Sequence, residues 1–435
     1  MLISKSKLHY FLSLIILSGL FFIFGLVSWV NTILIPYFKF TCELTIVESY
    51  LVTFAFFIAY LVMAFPVSVL LNKTGYKRGI MLGLWVLSLG ALTFVPAAYY
   101  RTFWVFLCGL FLMGSGLAIL QSAANPYITI IGPKESAASR LSIVGVFNKL
   151  AGILANLIFA VVVLNETDKK LMEEIKAGVY DGAARIEALD QLIRSVMLPY
   201  GILALTLFIF GIIIRYSILP EIDASKNNED TYVSKKKRSK IIHFPNLILG
   251  VLALFLHVGS QMISLATIIN YAGSMGMSLE GDAKNFPSFI MSFTLIGYII
   301  GVFFIPKVIS QKNALIISTV LGLILSFLVI LTKGQVNILG LNTDISIWFL
   351  VLMGLPNALI YAGIWPLAID GLGRLTNLGS SMMILGLSGS AFVPLIYSII
   401  AENYDLKVAY WVLIPCFIYL IFYATIGHKI KQWHK

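Results

Sequence analysis

The stretch MGSGLAILQSAANPY (residues 113–127) returns 240 residues later as MGLPNALIYAGIWPL (residues 353–367). Met, Gly, Ala and Pro coincide, with Gly114 on Gly354, Ala118 on Ala358 and Pro126 on Pro366. Under that offset Gln121 falls on Tyr361 and Asn125 on Trp365. A looser echo sets SIVGVFNKLAG (142–152) against MMILGLSGSAF (382–392), placing Gly145 opposite Gly386 one residue out of register. A duplicated apolar segment with the same small residues and the same helix breaker implies a chain built from two related halves. In membrane transporters the substrate site lies near the bilayer midplane at the interface of such repeats.

The composition around the repeat fits only a membrane. Of the 435 residues, 59% are hydrophobic and 12% charged, with mean hydropathy +0.93, whereas soluble domains carry roughly 25% charged residues. A helix needs about 20 apolar residues to cross ~30 Å of hydrocarbon. Runs of that length fall near 10–36, 47–71, 79–100, 104–131, 140–164, 197–219, 244–271, 286–306, 314–332, 346–370, 377–400 and 407–428. Segments this long and continuous span as helices, because open backbone cannot sit in lipid. The expected fold is therefore an all-α membrane protein with twelve transmembrane helices in two pseudo-symmetric six-helix bundles. The bundles are residues 1–219 and 244–435, joined by a polar cytoplasmic linker at 220–243. Residues 165–196 form a long, partly helical outer loop. The first run follows Lys5 and Lys7 like a signal peptide but continues past Pro36 without a small-residue cleavage site, so it reads as a retained helix.

Charge sets the expected orientation. With both termini in the cytoplasm, the inner segments hold twenty of the 31 Lys and Arg and the outer segments ten, the bias that cytoplasmic loops show. The net charge of +11 then needs no nucleic acid, and KKKRSK (235–240) reads as an anchor at the anionic lipid surface. The lipid bilayer is the expected macromolecular surround, and the chain is expected to act as a monomer in the plasma (inner) membrane. Cys42, Cys108 and Cys416 give neither a disulfide framework nor a metal spacing, and no cofactor is expected.

Polar residues recur at helical spacing inside the greasy runs. Gln121 and Asn125 share one helix face, as do Tyr361 and Trp365 on the equivalent helix. Asn148, Gly152 and Asn156 form another stripe, His257 and Gln261 a third, and Ser28 and Thr32, beside Trp29 and Asn31, a fourth. Polar groups are costly in lipid and face a bundle interior or a wet cavity. Amides donate and accept at once and aromatic rings cover a sugar's C–H face, so this inventory suits a neutral polyol. The same amides could instead tie helices together, and His257 could serve only a helix–helix hydrogen bond.

Two sets of motifs resemble known transporters. LNKTGYKRG (71–79), with Lys73, Gly75, Lys77 and Arg78, resembles the loop motif of the major facilitator superfamily, a tight Gly turn among basic residues, departing from it at Asn72, where that superfamily usually has Asp. More specifically, NTILIPYFK (31–39), LQSAANPYITIIGP (120–133), FNKLAG (147–152), HVGSQ (257–261) and LAIDGLGRLTNLGSSMMI (367–384) are similar to the fucose–galactose–glucose permease family. The resemblance implies twelve helices, alternating access, uptake of a hexose, and sugar contact at Asn31, Gln121 and Asn148. It also implies an Asp in the first-span motif and a Glu in the fourth for proton coupling, and this chain has Thr32 and Gln121 there. All 20 acids can be placed in loops or near span ends, so a proton or sodium gradient, if used, lacks the usual buried carboxylate.

Lys149 is the one strong charge placed well inside a span. It either snorkels or donates to a sugar oxygen beside Asn148. The candidate substrate contacts are thus Asn31, Gln121, Asn125, Asn148, Lys149, Gln261, Tyr361 and Trp365. The expected function is an alternating-access sugar transporter importing a neutral hexose, cation-coupled although Thr32 and Gln121 replace the usual proton-coupling carboxylates. The alternatives are a facilitator or exporter of another polar metabolite, or a permease for N-acetylated sugars. An enzyme would need a catalytic constellation, and of five histidines only His257 lies well inside a span, with no acid beside it. Substituting Lys149→Met is expected to change sugar uptake into proteoliposomes; wild-type rate and affinity would leave Lys149 as a snorkelling side chain.

Overall fold

Hydrocarbon offers the backbone no hydrogen-bond partner, so apolar runs of this length close their own bonds as α-helices. A computed structural model describes residues 2–44, 46–162, 166–219, 241–277 and 283–433. Its long helices are α1 (Leu2–Thr41), α2 (Ile46–Tyr99), α3 (Phe103–Ile130) and α4 (Ala137–Val162). Two short helices follow, α5 (Glu166–Lys176) and α6 (Gly182–Arg194), then α7 (Met197–Tyr216), α8 (Pro245–Ser274), α9 (Phe286–Phe304) and α10 (Gln311–Leu331). The last three crossings are each broken in two: α11 (Ile345–Leu352) with α12 (Gly354–Ile369), α13 (Thr376–Gly386) with α14 (Gly389–Asn403), and α15 (Leu406–Ala409) with α16 (Leu413–Thr425).

Among the described residues, eleven helical segments are long and apolar enough to cross a membrane. One of them, Phe54–Tyr99, has 46 residues, about 69 Å of helix at 1.5 Å per residue against a core of ~30 Å. It is interrupted at Gly75, whose φ of 73° and ψ of 177° belong to a region open essentially to glycine alone. The segment is therefore two crossings joined by the motif turn, and the total is twelve. The expected linker falls largely outside the described residues, which omit 220–240, KKKRSK included.

The long polar segment after α4 is helical, as its sequence suggested. Ile175 packs with Ala188, Leu189 and Leu192 to form a small core, and Phe40, Leu171, Met172 and Tyr180 close over it. Arg101 donates to Thr41 O at 3.1 Å and to Asp190 at 3.4 Å, while Arg185 reaches Glu43 at 2.9 Å. The all-helical expectation missed one feature, a hairpin pairing β1 (Gln335–Ile338) with β2 (Leu341–Asp344). Its two-residue turn, Leu339 and Gly340, has positive φ at both positions (56° and 80°), the geometry that matches strand twist in two-residue hairpins. Asp344 ends the hairpin and caps α11 by accepting from Ser346 N at 2.9 Å.

The chain separates into two compact units. The unit of Phe22–Ala123 and Leu150–Glu221 is packed through small residues and rings. A side chain at Gly114 would overlap Phe56 O, and one at Gly116 would meet the backbone at Leu87. Phe94 stacks on Tyr200 with centroids 4.2 Å apart, and Ser88 Oγ donates to Ala204 O at 2.6 Å.

The unit of Met1–Phe21, Ala124–Lys149 and Ile222–Lys435 repeats this logic. A side chain at Gly354 would overlap Ile290 O, so the repeat partner of Gly114 also lets two backbones approach. Arg140, 1% exposed, closes the turn between α3 and α4. Its guanidinium donates to Ile128 O (2.7 Å), Thr129 O (2.8 Å), Gly132 O (3.4 Å), Pro133 O (2.9 Å) and Ser136 Oγ (2.7 Å). These include carbonyls that α3 leaves open at its end, where a cation is also favoured by the helix dipole. The substitution Arg140→Ala is expected to cost on the order of 2–3 kcal/mol, read as a lowered unfolding midpoint in detergent. Arg140→Lys should recover only part, since an ammonium lacks the five-donor fork. An unchanged midpoint in both would show that other contacts hold this turn.

Candidate functional site

The second half of α3 carries Asn125, and Pro126 follows it. Proline has no N–H and cannot bond back one turn, so a backbone carbonyl of α3 loses its usual helical partner just before this point. Asn125 is fully buried. Its Nδ2 donates to Tyr361 Oη on α12 at 3.3 Å, and its Oδ1 has no partner among the described residues. The Tyr361 ring lies 6.4 Å from the His257 ring of α8 and 6.3 Å from the Trp365 ring. His257 and Trp365 are both 0% exposed, and neither ring nitrogen of His257 nor the Trp365 Nε1 has a hydrogen-bond partner among the described residues. Lys149, on α4, is buried.

These five groups, Asn125, Lys149, His257, Tyr361 and Trp365, come from four helices of one unit. Interior polar atoms are nearly always paired, and an orphan costs about 1–3 kcal/mol. Several orphans beside one another, within a compact helical unit, mark a place prepared for a polar guest. The donors and acceptors alternate: an amide oxygen, an imidazole, a phenol and an indole N–H. Hydroxyls, which give and take hydrogen bonds together, complement such a set.

The remaining sequence candidates are placed as follows. Gln121 is half-buried and donates to Tyr60 Oη at 3.2 Å, an amide–phenol pair where the family pattern would place an acid. Asn148 donates to Phe21 O at 3.1 Å, a bond between helices of the kind that the packing alternative anticipated. Gln261 is half-buried on α8. Asn31 and Thr32 belong to α1, and their side chains lie outside the described residues. In the loop motif Asn72, Lys73 and Arg78 are exposed, Gly75 makes the turn, and Lys77 Nζ donates to Ser217 O at 2.7 Å. Metal-ligand clusters are absent among the described residues.

Sequence reasoning missed Tyr60, Asn246 and Asn357. Asn246 is structural: its Nδ2 faces Leu367 O (3.3 Å), Ala368 O (3.1 Å) and Asp370 O (3.1 Å) where α12 ends. Asn357 is 0% exposed with both amide atoms unpartnered among the described residues. One signal could have found it, because Asn357, Tyr361 and Trp365 stand four residues apart in series and so share a face of α12.

Polytopic helices enclosing buried, unpaired polar groups are what a membrane transport protein requires, and comparison with known proteins places the chain in that class. A family model, the Major Facilitator Superfamily, matches residues 17–394. A glucose/galactose transporter of Brucella abortus is 33% identical over 98% of this chain and 96% of its own. An L-fucose-proton symporter of Escherichia coli is 27% identical over 90% of this chain and 87% of its own. The crystal structure of a superfamily transporter, FucP, in the outward conformation superposes with a TM-score of 0.81 at 26% identity, covering 96% of this chain and 98% of that one. The chain belongs to the Major Facilitator Superfamily and, within it, to the fucose–galactose–glucose permease family, as a multi-pass protein of the plasma membrane.

Structural and candidate substrate amides differ in what their loss should do. Asn246→Ala removes a buried donor from three carbonyls and is expected to cost about 1–3 kcal/mol of stability. Asn125→Ala removes one long hydrogen bond and frees an orphan oxygen, so the unfolding midpoint of the empty protein in detergent should barely move. Equal destabilisation by both would reassign Asn125 to packing.

Proposed function

We propose that this chain is a sugar transporter that imports a neutral hexose of the glucose, galactose or fucose type by alternating access, with both termini in the cytoplasm. The observation that carries this reading is the buried, unpaired polar set around Tyr361, whose atoms are those a polyol can satisfy. The sugars named for the 33% identical glucose/galactose transporter and for the fucose symporter support the same substrate class. It is a transporter and not an enzyme, as those relatives are.

The reading gives roles to neutral groups. Asn125 offers an amide, and Tyr361 and Trp365 offer aromatic faces for C–H edges; Gln121, Asn148 and Asn31 remain candidate sugar contacts by family resemblance. Lys149 adds a buried donor on α4. Gln261 sits one turn beyond His257 on α8 and completes a polar edge there.

Coupling is the open term, and the chain's own residues set the choice. Where an acid would shuttle a proton, this protein has Thr32 and Gln121, and Gln121 is hydrogen-bonded to a phenol. An amide does not titrate in the physiological range. A cation gradient, if used, must act through other groups, and a facilitator that equilibrates the sugar without an ion is favoured by this neutrality. Uptake of a labelled sugar panel into proteoliposomes, with proton and sodium gradients imposed separately, separates these cases. Stereospecific hexose counterflow is expected; a protein that moves no sugar under any gradient would overturn the reading. Gln121→Ala is expected to weaken sugar affinity severalfold to roughly tenfold, the worth of one neutral hydrogen bond, with little change in the amount of folded protein. Unchanged affinity would make Gln121 a helix-packing residue.

A further inference from the structure

The seam between α8 and α12 holds polar atoms that no described contact uses. Its depth is fixed at two levels. At one, the His257 and Tyr361 rings lie 6.4 Å apart; at the other, Ser264 Oγ lies 3.8 Å from Met353 Sδ. Asn357 sits one helical turn from both Met353 and Tyr361 on α12, hence between the two levels. Asn357 and His257 are each 0% exposed, and all four of their polar side-chain atoms lack a hydrogen-bond partner among the described residues.

Two bland explanations for such atoms do not hold here. A histidine kept for a helix–helix hydrogen bond would be making one, and His257 makes none with a described residue. An asparagine kept to cap a helix end would resemble Asn246, which faces three carbonyls. Asn357 instead lies within α12, whose backbone bonds are already closed, as its own N–H to Met353 O (3.3 Å) illustrates. Leucine would fill either place at lower cost.

We infer that His257 and Asn357 form the specificity edge of the substrate site, reading adjacent hydroxyls of the sugar. This rests on the sugar-transport reading and adds to it which residues discriminate. The chemistry is matched: an amide offers one acceptor and two donors, and an imidazole offers both roles on two nitrogens. A vicinal diol presents two oxygens that each donate and accept, so Asn357 can engage both and His257 can take the next. Sites built to hydrogen-bond a hydroxyl reject the analogue that lacks it, because their own polar groups are then stranded. Since both side chains are fully covered, the sugar reaches them when the seam opens during the transport cycle. Helix α12 has one place to bend, at Pro366, which cannot donate a backbone hydrogen bond to the preceding turn.

The test is a cycle of residue against hydroxyl. Affinities of purified protein in detergent are measured for D-glucose, D-galactose, L-fucose and the monodeoxy analogues of the preferred sugar. The proteins are wild type, His257→Phe and Asn357→Leu, with His257→Gln and Asn357→Ser as variants that keep polar groups should the apolar ones fold poorly. The expected result is that removing one particular sugar hydroxyl weakens wild-type binding roughly three- to tenfold but costs nothing further in His257→Phe. A neighbouring hydroxyl should behave so for Asn357→Leu, and His257→Gln should restore part of the discrimination. If each variant weakens every analogue by the same factor, the residues only shape the site and the inference fails while sugar transport stands. If no variant changes any affinity, the atoms serve hydration only, and the inference fails in the same way. If wild type binds no sugar at all, the sugar-transport reading falls with it.

Discussion

Nothing in the hydrocarbon core of a bilayer can accept or donate a hydrogen bond, and the polar atoms of the membrane-spanning helices are placed under that constraint. Backbone groups meet it by closing into helices. Where helices end or break inside the protein, side chains are recruited: Arg140 spreads its guanidinium over the carbonyls at the end of α3, and Asn246 does the same where α12 ends. Hydroxyls mostly bond back one turn along their own helix, as Thr294 does to Ile290 O at 2.8 Å. Unpaired buried atoms are scattered elsewhere too, at Trp85 Nε1 and Asn246 Oδ1 among the described residues, but those of Asn125, His257, Asn357 and Trp365 gather on α3, α8 and α12. That gathering is what marks the candidate site.

The fold was largely legible because this constraint writes itself into sequence. Crossing lengths follow from apolar run lengths, and the turn at Gly75 follows from a glycine among basic residues. The repeat of 113–127 in 353–367 foretold real equivalence: Gly114 and Gly354 each bring a helix backbone against a neighbour, α2 in one unit and α9 in the other. What could not be read was of two kinds. The hairpin at 335–344 depends on a polar eight-residue pairing whose strand signal is weak beside twelve apolar helices. The slight irregularities at Met353 and Leu387 keep near-helical backbone angles, so the sequence carries no strong signal for them.

The site was legible in its residue types and less so in its pairings. Repeat arithmetic treated Gln121 and Tyr361, and Asn125 and Trp365, as equivalents on separate helices. In the structure the contact runs between the sets, from Asn125 to Tyr361. Asn148 carried the same amide signal as Asn125, yet its bond to Phe21 O gives it a share in packing. Asn357 carries no repeat signal, because its counterpart in the first half, Leu117, is apolar. Helical spacing shows which residues share a face; only the neighbouring helix shows which of them find partners.

The central claim is that a hexose binds against the Tyr361–Trp365 face, and Trp365 can report on it directly. The chain has seven tryptophans, so a variant keeping Trp365 and carrying phenylalanine at the other six isolates its fluorescence. Titration with D-glucose, D-galactose and L-fucose should give a saturable, stereospecific change in Trp365 emission for at least one sugar, with an apparent affinity equal to that for transport by the same variant. A flat emission signal in a variant that still transports the sugar would contradict the claim and place the hexose elsewhere in the protein.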